Sequence, residues 1–245
     1  MNHVVKMVRT KGFTLIELML AMTFISVLLV AIALTVIQIS NIYNRGLTLK
    51  EVNQAGRSVS NELQRSITST AAFTIESGIG SRYVKNDWGG RLCTGQYSYI
   101  WNYGKAVKNN STSGTSLNVY DTVDRQPLIN FVKVIDSGGI YCTEPSRAVA
   151  RADATELLNV GDHSLAIHKL SIISNATATD TKTRQRLYTI NFAIGTNDGT
   201  NDQSALTADA STCLAPGVEN SDLAYCAVQE FTIVARAGNT GSQPN

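Results

Sequence analysis

The sequence predicts an α+β protein: a long N-terminal helix packed on an antiparallel β-sheet head. Three observations carry this expectation. No residue is charged from Leu18 to Asn44, and 17 of the 20 residues from Leu18 to Ile37 are Ala, Val, Ile, Leu, Met or Phe. Apolar positions then continue at helical spacing, and no proline interrupts the chain between Phe13 and Thr70. Beyond residue 71, short runs of alternating apolar and polar residues are separated by polar stretches, the pattern of strands and loops.

The chain begins with a short basic segment. Lys6, Arg9 and Lys11 stand there with no acidic residue among them, although the whole chain of 245 residues is nearly balanced at 21 Lys+Arg against 19 Asp+Glu. A net charge of +2 with no concentrated basic patch predicts no nucleic-acid partner.

The apolar run comes next. At 1.5 Å per residue, about twenty helical residues span the roughly 30 Å hydrocarbon core of a bilayer. Inside lipid a helix satisfies its own backbone polar groups. Basic residues before the run, and none after it until Arg45, place the N-terminus in the cytoplasm and the body across the membrane. A cleaved secretory signal would have a shorter apolar stretch closed by an A-x-A-like site, and this run has neither feature. Glu17 stands at its start. A carboxylate beside or within a bilayer is costly enough to mark a functional candidate, although a place at the polar edge would make it cheap.

The helical pattern continues through residues 45–70. Leu49, Val52, Val59, Leu63 and Ile67 form one stripe, while Arg45, Lys50, Glu51, Arg57, Asn61, Glu62 and Arg65 occupy the other faces. The stripe predicts contact with the chain's own head.

The remainder, 71–245, reads as β-rich. Tyr188, Ile190, Phe192 and Ile194 alternate with more polar or smaller residues as a half-buried strand, and Ile129–Ile135 and Val228–Ala235 are further strands. In Leu165–Ile173 the apolar parity changes near His168-Lys169, which predicts a bulge. The polar stretches 108–118, 174–184 and 196–212 are expected loops. Tyr97, Tyr99, Trp101 and Tyr103 alternate and so share one strand face, as core packing or as a ligand-stacking surface.

Signs of catalysis and of metal binding are scarce. The sequence has no G-x-S-x-G, Walker A or complete dinucleotide-binding glycine pattern, and no cysteine pair at C-x-x-C spacing. His163 and His168 have opposite parity on a regular strand, which works against a shared metal site. Asn197-Asp198-Gly199-Thr200-Asn201-Asp202, with Asp209 beyond, offers oxygen ligands for calcium but lacks the EF-hand spacing and its closing glutamate, so a solvated turn is expected. No enzyme activity, cofactor or metal is expected.

Lys11-Gly12-Phe13-Thr14-Leu15-Ile16-Glu17 followed by a long apolar helix resembles the N-terminus of type IV pilin and type II secretion pseudopilin precursors. The resemblance covers roughly residues 6–45. It implies that residues 1–12 are a leader cut by a prepilin peptidase between Gly12 and Phe13, and that Phe13 is then N-methylated. Residues 13–40 would be the transmembrane and fibre-core helix, 41–70 the amphipathic half of the same helix, and 71–245 the head of a pilin-like fold. Glu17 would pair with the N-terminal amine of a neighbouring subunit during assembly. Partners would be other pilin or pseudopilin subunits, the peptidase, and the bacterial inner membrane before export to the periplasm or an extracellular pilus.

The chemistry of these residues suits such roles. Gly12 lets an enzyme approach its carbonyl closely, and an amine–carboxylate pair offsets the cost of two isolated charges in an apolar setting. Leu34 stands where shaft pilins commonly carry a proline. The polar β-rich body resembles the larger minor subunits of the PilW/PulJ-like group, so the resemblance implies a minor pilin that initiates or caps assembly. A minor pseudopilin of a type II secretion system and a membrane-anchored binding protein that never polymerises are the alternatives. Cys93, Cys142, Cys213 and Cys226 all lie in the exported body and allow three pairings. A Cys213–Cys226 bond, leaving Cys93 with Cys142, would enclose a short loop resembling the disulfide-bounded C-terminal region of many pilins.

Overall fold

The computed structural model describes residues 12–76, 78, 80–109, 130–145, 147–149, 151–158, 165–180, 185–197, 205–222 and 224–238. The chain forms two compact units, Met1–Tyr43 and Asn44–Asn245. Helix α1 spans Leu15–Thr68, 54 residues, and contributes to both. The leader up to Lys11 lies outside the described residues.

In the N-terminal unit every described residue is exposed, including the apolar side chains of Phe13, Leu15, Ile16, Phe24 and Ile42. Few polar groups break this surface. Thr23, Ser26 and Thr35 donate their hydroxyls to the carbonyls of Leu20, Met22 and Ala31 at 2.9, 2.8 and 2.7 Å. Such back-bonding leaves no hydroxyl proton unpaired in an apolar solvent. This helix is long and apolar enough to cross a membrane.

In the second unit the helix buries Thr48, Val52, Ala55, Gly56, Val59, Leu63, Ser66 and Ile67. The expected stripe is corrected at one end, because Leu49 is 42% exposed and Thr48 takes its place. The seam runs 48, 52, 55/56, 59, 63, 66/67 and includes several small residues. Gly56 shows why: any Cβ there would overlap the Phe231 ring.

Two antiparallel sheets replace the single sheet expected from sequence. The first has five strands in chain order: β1 (Tyr83–Lys85), β2 (Gly89–Cys93), β3 (Tyr97–Asn102), β4 (Phe131–Ile135) and β5 (Ala154–Glu156). The second is β6 (Leu165–Asp180), β7 (Gln185–Thr196) and β8 (Val228–Ala237). Two short helices, α2 (Gly104–Asn109) and α3 (Ile140–Thr143), lie between strands of the first. Both sheets present large side chains to the helix seam. Tyr99, Trp101 and Phe131 come from the first sheet and Tyr188, Ile190 and Phe192 from the second, in one cluster with Val52, Val59, Leu63 and Ile67. On alternate positions of the first sheet, Ile100, Val132 and Val134 form a separate cluster with Val149.

Strand β6 skips register between Ile167 and Lys169, where the parity change predicts a bulge. The loop expected at 174–184 is corrected: β6 continues to Asp180, and 181–184 lie outside the described residues. At this polar end Ser174 and Asn175 pair with Tyr188 and Leu187, and after an irregularity Asp180 pairs with Gln185, which composition cannot reveal. Residues 108–109 end α2 instead of opening a loop, while 110–118 lie outside the described residues. Of the third expected loop, Thr196 ends β7, 205–212 are turns around a bridge of Leu206 to Cys213, and 198–204 lie outside the described residues. Ile129 lies outside them as well.

Polar ties supplement the apolar seam. Glu62 accepts hydrogen bonds from the Tyr99 hydroxyl at 2.9 Å and the Lys133 ammonium at 2.5 Å. Fully burying an aliphatic side chain contributes about 1.5–3 kcal/mol, and the helix buries four. The Glu62–Lys133 pair, about a quarter exposed on each side, contributes on the order of 1 kcal/mol at most. Burial therefore decides where the helix docks, and the ion pair tunes it. Burial works to raise the pKa of Glu62, but the hydrogen bonds from Lys133 and Tyr99, with the charges of Lys133 and Arg65, bring it below the ordinary glutamate value. A carboxyl with a depressed folded-state pKa contributes stability above its unfolded pKa, and that contribution is lost as pH falls through the folded value. Glu62→Gln should accordingly flatten the fall of melting temperature of the detergent-solubilised chain between about pH 6 and pH 3, and an unchanged pH profile would contradict the coupling.

Candidate functional site

The start of α1 gathers the residues that the sequence singles out. Gly12, Phe13 and Thr14 are non-helical and exposed, and the helix begins at Leu15. The Gly12–Phe13 peptide therefore lies outside the helix, in chain that an enzyme could engage without unwinding a turn. No other described atom comes within 4 Å of where a Gly12 Cβ would sit.

Thr14 and Glu17 cap this helix reciprocally. The Thr14 amide and hydroxyl both donate to Glu17 Oε2 at 2.9 Å, and the Glu17 amide donates to Thr14 Oγ1 at 3.4 Å. This is a capping box, which satisfies two of the donors that every helix N-terminus leaves unpaired. The carboxylate also sits where the helix dipole favours negative charge. The Thr14-x-x-Glu17 spacing carries this signal, which the hydropathy of the apolar run does not. Only one carboxylate oxygen is used, so a cation can still approach Oε1.

The head holds two disulfides, Cys93–Cys142 with a sequence separation of 49 and Cys213–Cys226 with a separation of 13. The first ties β2 to α3, where the sequence gives no warning of a second clamp. Arg91 is fully buried on β2, with no ion pair among the described residues. Its guanidinium instead donates to the carbonyls of Tyr141, Glu144 and Arg147 at 3.2, 3.3 and 2.8 Å and lies 5.6 Å from the Tyr141 ring centre. Burial pushes its pKa down to about 10, against the pull of Tyr141. The bond and the guanidinium together pin the α3 segment to the sheet.

The aromatic alternation resolves as core. Tyr99 and Trp101 are fully buried against Phe131, with ring centres 6.2 and 6.3 Å away, and Tyr97 and Tyr103 are half-buried. The two central rings are therefore core and unavailable to a ligand. Of the calcium candidates, Asn197 and Asp209 are described. Asp209 accepts from the Thr207 and Ser211 hydroxyls at 2.7 and 2.8 Å, which, with the Ser211 amide, lower its pKa to about 2. Residues 198–202 and His163 lie outside the described residues. Among the described residues no group of three or more His, Cys, Asp or Glu is placed to hold a metal ion.

The chain matches no protein-family model, no curated protein and no solved structure.

Proposed function

We propose that this chain is a minor type IV pilin: a structural subunit that is cut after Gly12, methylated at Phe13, and helps to initiate or cap a fibre through its exposed apolar helix. The observation that carries the proposal is Lys11-Gly12-Phe13-Thr14-Leu15-Ile16-Glu17 at the start of a helix whose residues 15–43 are exposed and, apart from Glu17, uncharged. Such a surface needs lipid or other helices around it. In the precursor that environment is the inner membrane, with the N-terminus cytoplasmic. In a fibre it is the same helix of neighbouring subunits, with Glu17 set against an incoming amine. No catalytic role is proposed for the head.

A place at or near a fibre tip follows from the head. A shaft repeats one subunit contact along an open helical assembly, whereas the polar stretches of the sequence at 108–118 and 196–212 would be repeated with every subunit. A minor pseudopilin of a type II secretion system uses the same chemistry. Quantitative mass spectrometry of sheared fibres tests the proposal. The protein should be present as a trace component beside a more abundant subunit. Its absence from fibres while it is abundant in the membrane would favour a non-polymerising anchored protein, and dominance among the fibre subunits would overturn the tip position.

A further inference from the structure

Arg82, just before β1, carries a charge whose Nη1 finds no partner: it is buried and has no hydrogen-bond acceptor among the described residues. Taking a cation out of water without an anion or acceptor is costly, so a buried group in that state has a cause to be found. The carboxylate of the adjoining segment is already spent. Asp136 accepts from the Ser98 hydroxyl and from the Ile140 and Tyr141 amides at 2.7, 3.0 and 3.2 Å. Burial works to raise its pKa, but these bonds hold it below the ordinary aspartate value.

What adjoins Arg82 is the Cys93–Cys142 disulfide. Cys142 Sγ lies 3.3 Å from the Arg82 carbonyl oxygen, and the Cys93 amide donates to that same oxygen at 2.8 Å. At Gly139 a Cβ would fall 3.4 Å from Arg82 Nη1 and 3.8 Å from Cys93 Cβ, so the guanidinium and Cys93 border one gap that the glycine leaves open. The Ser98 hydroxyl lies 3.0 Å from Cys93 Sγ. Its one proton serves Asp136 while the sulfur is in a disulfide, a weak acceptor, and is free to rotate toward a sulfur that becomes charged. The two sulfurs also differ in access. Cys93 is fully buried, whereas Cys142 lines a cleft of about 780 Å³ with Ser81, Tyr83, Thr143 and Pro145.

We infer that the Cys93–Cys142 bond is a thiol–disulfide exchange site, attacked by a dithiol at Cys142 and opened with Cys93 as the leaving thiolate beside Arg82. The anion that the guanidinium lacks is the one that reduction creates. A positive neighbour favours the thiolate over the thiol, and a leaving sulfur that is stable as a thiolate departs faster. In the first step a thiolate of the reductant bonds to Cys142 Sγ as the S–S bond breaks, and the electron pair leaves on Cys93 Sγ. The reductant's second thiolate then attacks its own sulfur in the mixed disulfide and releases Cys142. The protein gains two electrons, the dithiol becomes a disulfide, and its two protons pass to the cysteines or to solvent. The head need not unfold for this, because Arg91 still holds the carbonyls of Tyr141, Glu144 and Arg147 when the bond is open. The inference does not depend on the role of the N-terminal helix.

The test is reduction of the full oxidised chain in detergent by dithiothreitol, without denaturant, quenched with N-ethylmaleimide and read at each cysteine pair by peptide mapping. Cys93 and Cys142 should become alkylated while the near-ultraviolet spectrum stays native. Arg82→Met should slow their reduction by about tenfold, and Arg82→Lys, which keeps the charge, should restore most of the rate. The Cys213–Cys226 bond is the internal control, and its rate should be the same in all three proteins. Opening of Cys93–Cys142 only as the head unfolds, or an unchanged rate in Arg82→Met, would overturn the inference. So would an Arg82→Lys chain as slow as Arg82→Met, or equal slowing at both disulfides, since charge beside Cys93 would then not be what acts.

Discussion

A Glu17→Ala chain is expected to be cut normally, because the scissile bond lies upstream, yet to reach sheared fibres at no more than about a tenth of the wild-type level. Leaving one partner of a buried ion pair unpaired costs about 3–5 kcal/mol, which exceeds the tenfold loss by a wide margin. The capping box complicates that experiment, because Glu17→Ala also removes the acceptor of the Thr14 amide and hydroxyl. Loss of a cap costs about 1 kcal/mol, too little to block assembly but enough to fray the first turn. Glu17→Gln separates the two roles: its side-chain carbonyl still accepts from Thr14, while the charge is gone. Fibre counts should fall as far in Glu17→Gln as in Glu17→Ala. Normal incorporation of Glu17→Gln would assign Glu17 to the cap and remove the intersubunit pairing.

The second large effect concerns the head. Replacing Cys93 and Cys142 together by Ser should lower stability to denaturant by about 4 kcal/mol, against about 3 kcal/mol for Cys213 and Cys226, because the longer closed loop restricts the unfolded chain more. The α3 segment should nevertheless remain docked in the folded state, since Arg91 still holds three of its carbonyls. Hydrogen exchange of residues 140–144 would report this. A smaller loss from the first pair than from the second would show that chain entropy does not set the order.

Where side-chain pattern governs structure, the sequence was informative. The uncharged run, the strand around Tyr188–Ile194 and the bulge at His168 each follow from periodicity, because one face must meet the core and the other must not. The seam of α1 was only partly legible. Thr48, Ala55, Gly56 and Ser66 are buried beside the apolar positions, and at Gly56 the Phe231 ring fits only over a glycine. Hydropathy does not encode that. The polar end of β6 was missed for a different reason: it pairs with the start of β7 as a hairpin, at Ser174, Asn175 and Asp180, while its polar composition reads as a loop. The division into two sheets is a matter of topology and equally silent. Thr14 was a legible omission, since the capping-box spacing lies in plain view beside the motif. Arg91 was not legible at all. A buried arginine bonded to carbonyls looks, in sequence, like any surface cation.

The account rests centrally on the Gly12–Phe13 bond. Intact-mass measurement of the protein extracted from membranes of a host with active prepilin peptidase tests it most directly. The account predicts a 233-residue chain, the 245 residues less the leader of 12, beginning at Phe13 and carrying one added methyl group. A Gly12→Arg chain in the same host should keep all 245 residues. A wild-type chain that retains its leader, or that is cut beyond the apolar run, would contradict the account.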